Sequence, residues 1–222
     1  DRLVSGHRIA TGRPLMPPLA IVHLDESCLG NGREGSNPGG AGGLIEARTR
    51  GGRIERRDFY ISSPATTNNR MALAGAIAAL QLLARKKARM RVLMVSDSQY
   101  LVQGMREWAP GWAARGWKRK GGEIENLALW QTLVGSARLH QVQWTWVRGH
   151  QGHPKNEYAN DLAVMAAREQ RTSEGIVESG FAEWLEKKRA KGLYADYDAD
   201  AAFAALEAKV ESGEPFSLAE SG

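Results

Sequence analysis

One cysteine, Cys28, is all that 222 residues contain, so no internal disulfide can form. That scarcity points to a reducing compartment. No apolar run is long enough to span a bilayer, and the first residues lack a signal peptide's apolar segment. Internal repeats and long low-complexity tracts are also missing, which excludes solenoid and fibrous architectures. The expectation is a soluble, cytoplasmic, monomeric protein with no membrane partner. The chain opens Asp1-Arg2 rather than with methionine and is read as trimmed at that end.

What the chain does hold is an ordinary core composition, 42 % hydrophobic, and an uneven charge. Residues 171–222 carry 6 Lys/Arg against 11 Asp/Glu, whereas residues 1–170 carry 24 against 14. A basic body with an acidic tail suits a polyanionic partner for the body. The length suits one good-sized domain with an appendage.

Along the chain, residues 1–18 are polar and proline-bearing and read as a flexible lead-in. Leu19 to Leu24 is a short apolar run suited to a strand buried on both faces, and it delivers Asp25 at its end. A glycine-rich loop follows from Gly30 to Gly43, and then a hairpin turns around Gly51-Gly52. Asn68 opens an Ala/Leu-rich helix that ends near Arg85-Lys86-Lys87. Arg91 to Ser96 is a second buried-strand pattern, delivering Asp97. Helices are predicted from Ser98 to about Trp108 and from Glu123 to Leu139. Val142 to Val147 alternates as a strand, and Asn156 to Arg168 reads as a helix carrying Asp161. Beyond 171 two short helices are expected, one of them with Phe203, Leu206 and Val210 as an apolar stripe.

Four stretches carry specific motifs. They are Leu24-Asp25-Glu26-Ser27-Cys28-Leu29-Gly30-Asn31, Thr66-Thr67-Asn68-Asn69-Arg70-Met71-Ala72, Val95-Ser96-Asp97-Ser98-Gln99 and Val147-Arg148-Gly149-His150-Gln151-Gly152-His153-Pro154. In this order the chain closely resembles type 1 ribonuclease H from about residue 19 to about residue 170. The resemblance implies an α/β fold, a mixed five-stranded sheet flanked by helices, over 19–170. A short acidic helical extension over 171–222 lies outside it. It also implies an endonuclease that cuts the RNA strand of an RNA–DNA hybrid, using two Mg²⁺ ions for which Mn²⁺ can substitute.

Aspartates at strand ends commonly serve turns and caps. Converging carboxylates, however, repel unless a cation sits among them. By resemblance Asp25 bridges two metals, Asp97 helps hold one and Asp161 the other, while His150 assists proton transfer or product departure. Two ions about 4 Å apart activate the attacking water and stabilise the leaving oxygen. The family's remaining ligand, a glutamate, falls where this chain has Ala72. Glu26, where the family usually has glycine, is expected on the opposite face of the strand from Asp25, unless a bulge brings it round. The site therefore reads as one ligand short. Two explanations stay open: a glutamate-to-alanine change that traps substrate without cutting it, and a natural hybrid-binding protein that never cuts.

For the nucleic acid, Trp108, Trp112, Arg115, Trp117 and Lys118 match a basic protrusion that grips the DNA strand. Tryptophans at such spacing also serve as core, and Trp108 fits either role. Thr67 and Asn69 match a phosphate pocket at a helix start. Cys28, Gly30, Asn31, Asn68 and Gln99 match positions that touch base edges, backbone or 2′-hydroxyls, contacts that read shape more than sequence.

Overall fold

A computed structural model describes residues 16–30, 37–149 and 152–213. Asn31 and His150 therefore lie outside the described residues, as does most of the 1–18 lead-in. The strands β1 (Leu19–Cys28), β2 (Asn37–Arg48), β3 (Ile54–Thr66), β4 (Arg91–Ser96), β5 (Gln141–Trp146) and β6 (Val177–Glu178) form one sheet in the order β5-β4-β1-β2-β3-β6. β1 runs parallel to β4 and antiparallel to β2, and β4 runs parallel to β5. The mixed α/β sheet is as expected, with one correction to its strand count. A sixth, two-residue strand from the acidic extension pairs with Arg57 and Asp58 of β3.

Strand alternation divides the core. Ala20, Val22 and Leu24 of β1, with Val92 and Met94 of β4, join the cluster that contains α1 (Asn68–Ala84). Thr67 caps that helix by accepting the Arg70 N–H at 3.3 Å. Leu19, Ile21, Leu93 and Val95 point the other way and pack with Phe203, Leu206 and Val210. The last three belong to α7 (Ala199–Ser212), so the extension covers one face of the sheet. Beside it, α5 (Pro154–Glu169) lies directly on β2. A Cβ on Gly42 would collide with the Ala159 carbonyl, and one on Gly40 with the Ala163 carbonyl. α6 (Phe181–Arg189) completes this layer through Phe181 and Leu185.

The stretch after β4 runs further as helix than expected. α2 (Gln99–Gln103) passes through a π-helical turn at Gly104–Trp108 into α3 (Ala109–Ala114). The ring of buried Trp130 lies where a side chain on Gly104 would be, so the helix widens around it. α4 (Leu127–Ala137) starts later than predicted because Asn126 adopts a left-handed conformation, φ 56°.

Candidate active site

β1 and β4, parallel neighbours, end side by side and deliver two aspartates to the same edge of the sheet. The carboxylate oxygens of Asp25, Glu26 and Asp97 lie within 4.8 Å of one another, a spacing that fits metal ligands. Asp25 is held at both oxygens: Oδ1 accepts the Glu26 N–H at 2.7 Å and Oδ2 accepts Asn156 Nδ2–H at 3.2 Å. Gly149 closes the far side, where any Cβ would strike the Asp97 carboxylate. Burial and the charge of Asp97 push Asp25 up to about 8. Burial, then Asp25 and Asp97, push Glu26 well above the usual glutamate range. Three carboxylates with so little counter-charge repel one another, and a cation among them would relieve that repulsion.

Glu26 was expected to point away from this cluster, and the structure corrects that. Pairing of β1 with β2 is unbroken from Ala20 to Cys28, so no bulge turns the residue. The glutamate's extra methylene lets its carboxylate reach round to the aspartates, and Oε2 is buried with no hydrogen-bond partner. α1 leaves the room for it. A Cβ on Gly75 would sit 2.9 Å from a Leu24 methyl, so those two residues face each other. α1 and β1 run in opposite directions here. One turn earlier on α1 is Ala72 and two residues later on β1 is Glu26. Ala72 is fully buried and contributes only a methyl group on this turn of α1.

Asp161 is not part of the cluster. Its Oδ2 accepts Trp184 Nε1–H from α6 at 2.7 Å and lies 4.0 Å from Lys188 Nζ. The reason is rotation about α5. Asn156 faces Asp25, and Asp161 lies about 140° round the helix from it, whereas Asn160 lies only about 40° away. The contacts of Gly42 and Gly40 with α5 show that the helix advances along β1 in the direction of its carboxyl end. Asn160 is thus one turn nearer the open edge of the site. Asn156 and Asn160 were missed in the sequence. The available signal was their i, i+4 spacing on the stripe that continues through Ala163 and Ala167, both buried.

Around this centre, Cys28 is buried and its Sγ–H points at the Thr66 carbonyl, 3.4 Å away, while burial raises its thiol pKa. Gly30 takes φ +82° at the turn after β1. Thr67, Asn68 and Asn69 form the start of α1, and Asn68 Oδ1 is buried without a partner. Gln99 is exposed beside Asp97. Trp108 and Trp112 pack in an aromatic group with Tyr100 and Trp130, so both are partly core. Trp117 has φ +62° and is half-buried, while Arg115, Lys118, Arg119 and Lys120 line an exposed concavity beyond it.

Residues 18–168 match the family model for RNase H. The chain is 41 % identical over 147 residues to a ribonuclease H of Methylococcus capsulatus, covering 66 % of this chain and 87 % of that one. It has the same identity and coverage to a ribonuclease H of Escherichia coli strain K12. It is 56 % identical, with a TM-score of 0.73, to the crystal structure of LC9-RNase H1, described as a type 1 RNase H with the type 2 active-site motif. That match covers 78 % of this chain and 82 % of the other. With the matched model spanning both strands that bring Asp25 and Asp97 together, the chain belongs to the ribonuclease H family.

Proposed function

We propose that this chain is an active type 1 ribonuclease H that cuts the RNA strand of an RNA–DNA hybrid, with Asp25, Glu26, Asp97 and Asn160 as its metal-facing set. The observation that carries this is the buried carboxylate of Glu26, its Oε2 without a hydrogen-bond partner, beside those of Asp25 and Asp97. On this reading Ala72 is the space that Glu26 requires, and the ligand expected from α1 is supplied from β1. The relative at 56 % identity, described as combining a type 1 protein with a type 2 active-site motif, supports a carboxylate set that differs from the usual one.

The residues fit divalent ions on their own chemistry: hard oxygens, like charges and a buried orphan oxygen. Two Mg²⁺ ions, or Mn²⁺ in their place, supply a water activated for attack and charge stabilisation at the leaving oxygen. The chain's own residues prepare that site. Asp25 is fixed in one orientation by the Glu26 amide and Asn156, and with Glu26 and Asp97 it would hold the ions. Asn160 adds a neutral carbonyl oxygen where a fourth carboxylate would raise the repulsion further. The free amides at the start of α1, around Thr67–Asn69, suit a phosphate. The exposed cations Arg115, Lys118, Arg119 and Lys120 suit the DNA backbone beyond it. His150 keeps the role that the resemblance implies, proton transfer or product departure. A lone buried cysteine suits work as a cytoplasmic monomer.

A second reading, in which the chain binds hybrid without cutting it, rests on Ala72 alone. Two variants separate them, assayed on a labelled hybrid with Mg²⁺ and with duplex DNA as control. On the active-site reading the unaltered chain cuts, Glu26→Gln loses roughly a hundredfold or more, and Ala72→Glu, which crowds Glu26, gains nothing. An inert chain that gains activity by orders of magnitude on Ala72→Glu would establish the second reading.

A further inference from the structure

Directly behind Asp25 lies a second buried polar group, built of opposite charges. Glu46 of β2 is fully buried. Its Oε1 accepts Arg56 Nε–H at 2.8 Å, and its Oε2 faces Lys155 Nζ at 2.7 Å and His23 Nε2 at 3.1 Å. Both long cations also reach into the extension. Lys155 Nζ donates to the Ala199 carbonyl at 2.9 Å, and Arg56 Nη2 meets Asp200 Oδ1 at 2.6 Å. Ala199 and Asp200 open α7, whose first turn is capped by Asp198. Lys155 is 3 % exposed and is followed in the chain by Asn156, which holds Asp25.

We infer that the acidic extension positions the active site through Lys155: α7 and Glu46 pin the first turn of α5, and that turn sets Asn156 against Asp25. The inference rests on the metal-facing site proposed above. Apolar packing between the two elements runs through Tyr158 and Leu162 of α5, which share a cluster with Tyr197 and Ala199. A cavity of about 260 Å³, lined by Val95, Val147, Pro154, Tyr197 and Leu206 among others, separates the start of α5 from α7. Next to Asn156, the direct link to α7 across the rim of this cavity is the polar one that Lys155 makes with Glu46 and the Ala199 carbonyl. Lys155 is a positioning residue, since its ammonium is taken up by Glu46 and the Ala199 carbonyl, and its effect would reach a metal through Asn156 and Asp25. Residues 169–222 lie outside the matched family model, so the link joins an added segment to the family's site.

The test measures Mn²⁺ binding by calorimetry on the full chain, with the Mg²⁺ dependence and KM of hybrid cleavage alongside. Lys155→Met is expected to weaken Mn²⁺ binding about tenfold and to raise the half-maximal Mg²⁺ concentration by a similar factor. KM for hybrid at saturating metal stays within about twofold, because the phosphate and DNA contacts are untouched. Asp200→Ala, at a side chain that is 65 % exposed and safe for folding, shifts both quantities the same way by about two- to threefold. Val210→Ala loosens α7 from the sheet far from Lys155 and leaves Mn²⁺ affinity unchanged. Unaltered affinity in folded Lys155→Met and Asp200→Ala overturns the link, and so does an equal loss in Val210→Ala. Failure of the unaltered chain to bind Mn²⁺, or indifference to Glu26→Gln, instead overturns the site itself.

Discussion

Two buried polar groups share β1 and its neighbours, yet the carboxylates in them have surroundings of opposite sign. Burial alone raises Glu46, but the hydrogen bond from His23 and the charge of Lys155 outweigh it and bring Glu46 down to about 2. Burial pushes His23 down, and Lys155 and Arg56, both in contact with the Glu46 carboxylate, supply permanent counter-charge. Asp25 sits two residues further along the same strand face, among carboxylates, and is pushed up to about 8. Burial is comparable in the two places; the partners differ. A carboxylate answered by cations belongs to the fold's own stability, whereas one crowded by its like stores a cost that only a bound cation relieves.

The sharpest break of that contrast is to cut one residue from each group and measure unfolding in urea without metal. Glu46→Ala leaves Lys155 and Arg56 buried without their shared acceptor. It should destabilise by about 3–5 kcal/mol, the cost of orphaning half of a buried ion pair. Asp97→Asn should do the reverse, raising the metal-free urea midpoint by relieving repulsion at Asp25, while activity is lost. Equal destabilisation by both changes would end the distinction between the two groups.

The pH dependence sharpens the same point, and its sign is unusual for an aspartate. Asp25 has an ordinary value near 3.8 and about 8 in the fold. Between those values the folded protein holds a proton that the unfolded chain has released, so stability falls as pH rises. Metal-free protein should therefore lose stability from about pH 4 to pH 8, most steeply where Asp25 and Glu26 compete for protons. Saturating Mg²⁺ replaces the proton and should flatten the slope. Glu46, at about 2 against 4.5, contributes in the opposite sense and only in strong acid, below about pH 4.5. Calorimetric melting across that range, with and without Mg²⁺, checks both signs. A metal-free stability that rises towards pH 8 would contradict the crowding at Asp25.

These groups were not equally legible in the sequence. Asp25 and Asp97 stood out because each follows an apolar run of strand length, and strands that end at one edge of a sheet bring their last residues together. Glu26 was hidden by the same strand logic, since alternation alone sends it away from Asp25. Its reach depends on the length of the glutamate side chain, a matter of side-chain geometry rather than period. Asp161 misled for a related reason: a helix can be located from its pattern while its rotation stays open. Rotation here follows from Gly40 and Gly42 receiving α5. That contact turns Asn156 inward, puts Asn160 on the same stripe of the helix and leaves Asp161 to Trp184. The Glu46 group drew no notice, because its members lie far apart in sequence and each reads alone as a solvated charge. β6, at two residues, is too short to leave a period at all.

The smallest effect expected is on the basic loop, where the charges are exposed rather than buried. Arg115, Lys118, Arg119 and Lys120 stand in solvent, and no salt bridge pairs them among the described residues. Each already interacts with water, so losing one costs the fold little. Against a hybrid the same exposure is useful, because each phosphate neutralised releases a counterion. Trp112 differs in being half-buried and packed on Trp108 and Trp130, so its removal disturbs the loop's seat as well as any sugar contact. Lys118→Ala should weaken hybrid binding only about two- to fivefold at low salt and make the dependence on salt shallower by about one phosphate. Trp112→Ala should weaken it further but leave that slope alone. Filter binding across a salt series, in Ca²⁺ to prevent cutting, separates charge from packing. Should Lys118→Ala change affinity without changing the slope, the loop touches the hybrid by shape, and the comparison between buried and exposed charge would stop at the edge of the active site.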